Sequence, residues 1–238
     1  NATGLYLEEK SKQYLFLRNG FQDLKYVGIV LNSTTGKWTF VQKGTTGTYT
    51  GIAKSIENGR WYFCRKGILD WNFTGVAKSI ENGKWYHCKK GALDWNYTGL
   101  SKSVENGKWY FSKKGALDWN FTGIAKSVEN GKWYFARKGA LDWSFTGLAK
   151  SIENGKWYYC KKGALDWNYT GLAKSVENGK YYYARNGALD WNFTKGIYHS
   201  IDKKWVVVNK GRLDWTYNGK LVCTDNKERN FLSGIEAI

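Results

Sequence analysis

Apolar positions come in short runs punctuated by glycine. In "GVAKSIENGKWYHCKKGALDWNYT", which begins at Gly75, the apolar Val76 and Ala77 are followed by a polar stretch and then by Trp85-Tyr86-His87-Cys88. Asn82-Gly83 lies between the two runs. Asn-Gly is the strongest short hairpin signal, because a type I′ turn requires positive φ at both central residues. The spacing predicts such a turn there, with Glu81 and Lys84 facing each other across the ladder as an opposite-charge pair. A second break at Lys90-Gly91 opens another extended run, "ALDWNYT". Alternation places Leu93, Trp95 and Tyr97 on a buried side and Asp94, Asn96 and Thr98 on a wet one.

This pattern recurs. Gly51, Gly75, Gly99, Gly123, Gly147 and Gly171 fall 24 residues apart, so six good copies cover residues 51–194. Weaker copies begin at Gly4, Gly28 and Lys195, giving about nine in all. Divergence at the ends is what capping units show, since an end repeat faces water on a side that interior repeats bury. The predicted organisation is an N-terminal cap over 1–50, regular repeats over 51–194, and a C-terminal cap over 195–238. A single hairpin is too small to hide its aromatics, so each completes its neighbour's core. The expected fold class is all-β, a β-hairpin repeat solenoid or superhelix.

Composition agrees with this picture. Aromatics make up 18% of the 238 residues, Gly numbers 28, and Pro and Met are absent, a strand-rich and turn-rich profile. A chain without Met reads as a processed product or a piece of a longer polypeptide. No apolar run approaches the roughly 20 residues that span a bilayer.

The 14 Trp residues fall into two columns. Trp38, Trp61, Trp85, Trp109, Trp133, Trp157 and Trp205 lie in the hairpins, with Tyr181 replacing one. Trp71, Trp95, Trp119, Trp143, Trp167, Trp191 and Trp215 follow Leu-Asp. The second column reads as core on the burial habit of aromatics. The hairpin column is either core as well, or lines grooves between successive hairpins where sugars or cations stack. On the latter reading the ligand-binding residues are Trp61, Tyr62, Trp85, Tyr86, Trp109, Tyr110, Trp133, Tyr134, Trp157 and Tyr158. The lysines Lys78, Lys102, Lys126 and Lys150 join them.

These residues carry a family resemblance. "NGKWYFSKKGALDWNFTG" resembles the G-x-W-Y-[YF]-x-x-x-G-x-[ML] core of the cell-wall-binding repeat superfamily of Gram-positive bacteria, which includes choline-binding, glucan-binding and clostridial-toxin repeats. The resemblance covers about residues 28–218. It implies a secreted or cell-surface protein whose hairpin aromatics, Trp85 and Tyr86 and their equivalents, attach it to wall polymers or glycans. Choline-binding repeats carry a Trp directly after Thr-Gly, where this sequence has Val76, Leu100, Ile124, Leu148 and Leu172. Its second Trp follows Asp instead, so the resemblance brings no three-aromatic choline cage with it.

Charge bears on the partner. Each of the first five good copies holds four Lys or Arg against two acids, and the total is +17. A cationic array on a repeating scaffold suits a regularly charged polymer, so an anionic wall polymer such as teichoic acid is favoured. Nucleic acid is disfavoured, because no recognised nucleic-acid motif appears.

Catalysis finds no support. The acids recur with the repeat rather than converging as a singular pair, and His87 occupies a column otherwise filled by Phe or Tyr. No cofactor or metal is expected, since Asp94-x-Asn96 lacks the glycine context of a calcium loop. Cys64, Cys88 and Cys160 share one small packed column and Cys223 stands apart, a spacing that predicts buried free thiols. Sequons at Asn72, Asn96, Asn120, Asn168 and Asn192, with Asn1 and Asn32, read as a coincidence of turn and strand residues. The function expected is thus a non-catalytic, multivalent surface-binding module. The alternative is a stalk, filament or host-protein-binding adhesin segment whose aromatics all lie in the core.

Overall fold

The repeat unit folds as three short strands. A computed structural model describes residues 2–237, which leaves the sequon at Asn1 outside the described residues. The chain divides into two compact units, Asn1–Asn120 and Phe121–Ile238, taken separately below. Among the described residues no helix is long and apolar enough to cross a membrane. The fold is all-β and built by repetition of hairpins.

In the first unit, Gly75–Lys78 pairs antiparallel with Trp85–Lys89, which pairs in turn with Ala92–Leu93. Gly147–Lys150, Trp157–Lys161 and Ala164–Leu165 repeat this in the second. The register sets Lys78 opposite Trp85 and Lys89 opposite Ala92.

The tight turn expected at Asn82-Gly83 is found at the second break instead. At Asn82-Gly83 only the glycine has positive φ, at 66°. The loop is four residues long: Ser79 N–H donates to the Lys84 carbonyl (2.8 Å) and Gly83 N–H to the Ser79 carbonyl (2.9 Å). Asn82 Oδ1 accepts from Lys84 N–H at 2.9 Å, and Ser79 Oγ accepts from Glu81 N–H at 3.3 Å. Side chains that bond nearby backbone donors favour this wider loop over a tight one. Glu81 therefore sits in the loop, Lys84 stands opposite Ser79, and the expected Glu81–Lys84 pair does not form.

The two-residue turn is Lys90-Gly91, with φ of 49° and 72°. Lysine in the left-handed region is strained, whereas asparagine tolerates it, and Asn186 holds the same place with φ 50°. Lys90→Asn is expected to stabilise the protein by roughly 0.5–1 kcal/mol, because the left-handed penalty for lysine is partly removed. A thermal midpoint that fails to rise would contradict this reading.

Neighbouring repeats are stitched through backbone. Phe63 N–H donates to the Gly91 carbonyl (2.7 Å), Gly91 N–H to the Phe73 carbonyl (2.8 Å), and Tyr62 lies opposite Ala92. On the other side Val104 N–H reaches the Val76 carbonyl at 3.0 Å. In the second unit, Phe135 N–H donates to the Gly163 carbonyl and Ile152 N–H to the Ile124 carbonyl.

The core is a row of stacked rings. Phe63 lies 3.7 Å from Phe73 in the first unit, and in the second Phe135 lies 3.7 Å from Phe145 and Tyr159 lies 3.5 Å from Tyr169. Cys64, Cys88, Cys160 and Cys223 are buried and free. Burial pushes the Cys64 and Cys160 thiols up to about 12, so they stay protonated. Asn32 is also buried, its Oδ1 accepting from Thr34 and Thr35 N–H, whereas Asn72, Asn96, Asn120, Asn168 and Asn192 lie exposed in turns.

His87 takes a ring position in this row. It stacks on Tyr97 at 3.6 Å, and its Nδ1 lies 2.9 Å from Ser101 Oγ. Ser101 replaces the alanine that the other good copies carry, so the two departures from the repeat answer each other. Burial lowers the His87 pKa from 6.5 to about 4, against the opposing pull of Asp94. Between those values the unfolded chain binds a proton that the folded chain refuses. Stability should therefore fall as pH drops from about 6.5 toward about 4. His87→Phe with Ser101→Ala should flatten this limb in urea melts taken across pH, and an unchanged limb would refute the assignment.

Candidate functional site

The run "ALDWNYT" ends as strand after Leu93, and this break builds the site. Asp94 Oδ1 accepts from Asn96 N–H at 3.0 Å and the Asp94 carbonyl from Tyr97 N–H at 3.3 Å, bending the chain. An Asp that bonds its own backbone two residues on competes with the ladder. Trp95 is turned outward at 54% exposure, and the other tryptophans of its column are 46–56% exposed. The expected burial of the Leu-Asp-Trp column is therefore wrong. The stalk reading loses its premise that all aromatics are core.

The hairpin aromatics lie between core and solvent. Trp61, Trp85, Trp109, Trp133 and Trp157 are half-buried, as are Tyr86, Tyr110, Tyr134 and Tyr158, while Tyr62 is buried. Each of these tyrosines is held by the Asn of its own hairpin. Asn82 Nδ2 donates to Tyr86 Oη and Asn106 Nδ2 to Tyr110 Oη, both at 2.9 Å, and Asn58 to Tyr62 at 3.0 Å. In the second unit Asn130 serves Tyr134 at 2.9 Å and Asn154 serves Tyr158 at 2.8 Å. The Asn-Gly motif thus orients a phenol as well as shaping a loop.

Each oriented tyrosine meets the outward tryptophan of its own repeat edge-on. In the first unit the centroid separations are 5.5 Å for Tyr62–Trp71 and Tyr86–Trp95 and 5.4 Å for Tyr110–Trp119. In the second they are 5.4 Å for both Tyr134–Trp143 and Tyr158–Trp167. The preceding repeat supplies a third ring. Trp133, Tyr158 and Trp167 surround a groove of about 170 Å³ that is also lined by Leu165, Ser151, Glu153 and Asn154. Trp157, Tyr182 and Trp191 form the corresponding groove one repeat on, with Glu177 in its lining. In the first unit Trp61 and Tyr86 pack against one core cluster, and Trp38 packs against another that contains Tyr62.

The lysines expected at the site are elsewhere. Lys78, Lys102, Lys126 and Lys150 are exposed and stand across the ladder from Trp85, Trp109, Trp133 and Trp157. Lys126 Nζ lies 5.8 Å from the Trp133 centroid, yet none of the four lines the grooves around Trp167 and Trp191. The outward tryptophans Trp167 and Trp191 line the candidate grooves and were not among the residues expected there. The signal for them was the Asp-Trp-Asn turn, read as continuing strand.

Three aromatic walls beside a carboxylate suit a small organic cation, because ring faces attract positive charge without hydrogen bonds. Among the described residues no group of three or more His, Cys, Asp or Glu side chains is gathered as for a metal.

Residues 48–70, 72–94, 120–142, 144–166 and 168–190 match the model of the choline-binding repeat. The chain carries choline-binding repeats. Its matched segments include Trp61, Trp85, Trp133 and Trp157 with the tyrosines that follow them. Among solved structures, choline binding protein F from Streptococcus pneumoniae is 21% identical over 91% of this chain and 75% of that one, with a TM-score of 0.31. A streptogramin B lyase is 13% identical over 97% and 76%, with a TM-score of 0.15. Superpositions this loose bear on neither fold nor function. No curated protein matches the chain. As a choline-binding-repeat protein, the chain is a repeat-built binding module of the cell surface.

Proposed function

We propose that the chain attaches to a choline-bearing cell-wall polymer, of which an anionic teichoic acid is the favoured example, through the grooves between successive repeats. The observation that carries this is the Trp133–Tyr158–Trp167 groove with Glu153 in its lining. A trimethylammonium group has no N–H to donate and is held by ring faces and by a nearby negative charge. The exposed lysines act outside the groove, where the excess positive charge draws in a polymer of phosphates. Several weak grooves on one chain then add by avidity.

Co-sedimentation with Gram-positive cell walls, before and after extraction of teichoic acid, tests this. Binding should disappear on extraction, weaken with salt, and be displaced by free choline at fixed ionic strength. Salt sensitivity without choline displacement would reduce the interaction to charge alone and remove the grooves from it. Retention on extracted walls would point to the glycan instead.

A further inference from the structure

The grooves are not equivalent, and the difference lies at one position. In the Trp133–Tyr158–Trp167 groove, the residue paired with Tyr158 from the following repeat is Ala188. In the neighbouring groove, the residue paired with Tyr182 is Arg212. The first unit has alanine there too, Ala92 opposite Tyr62 and Ala116 opposite Tyr86.

The arginine reaches into the site. Its guanidinium carbon lies 5.4 Å from the Trp191 centroid and 5.9 Å from the Tyr182 centroid, and Arg212 lines the groove with Trp157, Tyr182, Trp191 and Glu177. Lys126 is different, since it approaches Trp133 alone and does not line that groove. We propose that Arg212 is a built-in cation that closes the Trp157–Tyr182–Trp191 groove to a free quaternary ammonium ligand, while the Trp133–Tyr158–Trp167 groove stays open.

Two physical terms act together. The guanidinium already makes the cation–π contacts that a ligand would make with two of the three rings. It also cancels the charge of Glu177, so the lining sums to zero, whereas Glu153 leaves the open groove at minus one. A ligand cation entering beside Arg212 meets like charge at short range. A related arrangement follows downstream, where Arg229 lies 3.8 Å from the Trp205 centroid and is held by both Asp225 oxygens at 2.7 Å. That tryptophan face is also covered by the chain's own cation.

The inference rests on the proposal that the grooves take a quaternary ammonium, and one titration separates the two. Choline chloride is added at constant ionic strength to the full chain labelled with 15N at its indoles, and the Trp167 and Trp191 resonances are followed together. Trp167 should saturate, with Trp191 requiring at least tenfold more ligand. Arg212→Ala, which installs the residue used at the equivalent positions, should bring Trp191 to within about threefold of Trp167. Ala188→Arg should impose the same closure on Trp167 and leaves Trp191 as it was. Equal responses in the unaltered chain, or a contrast that survives Arg212→Ala, would overturn the inference alone. Indoles that stay still in every variant would overturn both it and the ammonium reading.

Discussion

Gly115→Ala is expected to destabilise the first unit by roughly 3–5 kcal/mol, the range of a strained backbone combined with a core clash. Gly115 has φ 72°, and a Cβ there would lie 2.5 Å from the Asp94 carbonyl oxygen and 2.9 Å from the Trp95 Cα, both in the preceding repeat. Neither contact involves a movable side chain. Gly107 supplies the control within the same repeat. Its φ is 68°, but the nearest atom to an added Cβ is Lys102 Cε at 3.7 Å. Gly107→Ala should therefore cost only the left-handed penalty, about 1–2 kcal/mol. Urea melts followed by tryptophan fluorescence read the difference. Equal losses in the two variants would show that the close approach between repeats contributes nothing.

Replacing Trp71, Trp95 and Trp167 together with alanine should lower retention on choline-bearing walls by 100-fold or more, because losing three of several linked sites removes avidity as well as contact. Each of these rings is more than half exposed, so the strand circular dichroism and the cooperative melt should persist. Phe135→Ala is the opposite case. That ring is fully buried and stacked on Phe145, so its loss should cost about 3–5 kcal/mol. Undiminished wall binding by the folded triple variant would exclude the outward tryptophans from the site.

Repetition and strand class were legible because a 24-residue period states the unit outright. Turn types were less so. Asn-Gly and Lys-Gly both admit a tight turn, and the choice was made by Ser79 and Asn82 side chains that satisfy loop donors only in the wider form. The outward tryptophans were misplaced for a similar reason. Alternation predicts faces only while the chain stays extended, and Asp94 ends the strand one residue before Trp95. A ring absent after Thr-Gly is thus matched by one from a different column, Trp167 beside Trp133 and Tyr158. His87 was legible as a packing residue, but its pairing with Ser101 lies across a repeat boundary and needed coordinates.

The stitch at Lys90-Gly91 has a genetic corollary. Each such turn binds the backbone of the neighbouring repeat and presents the same donors and acceptors onward, so an in-frame duplication of one unit inserts a segment that fits both sides without new contacts. Array length can then drift by recombination between near-identical coding stretches.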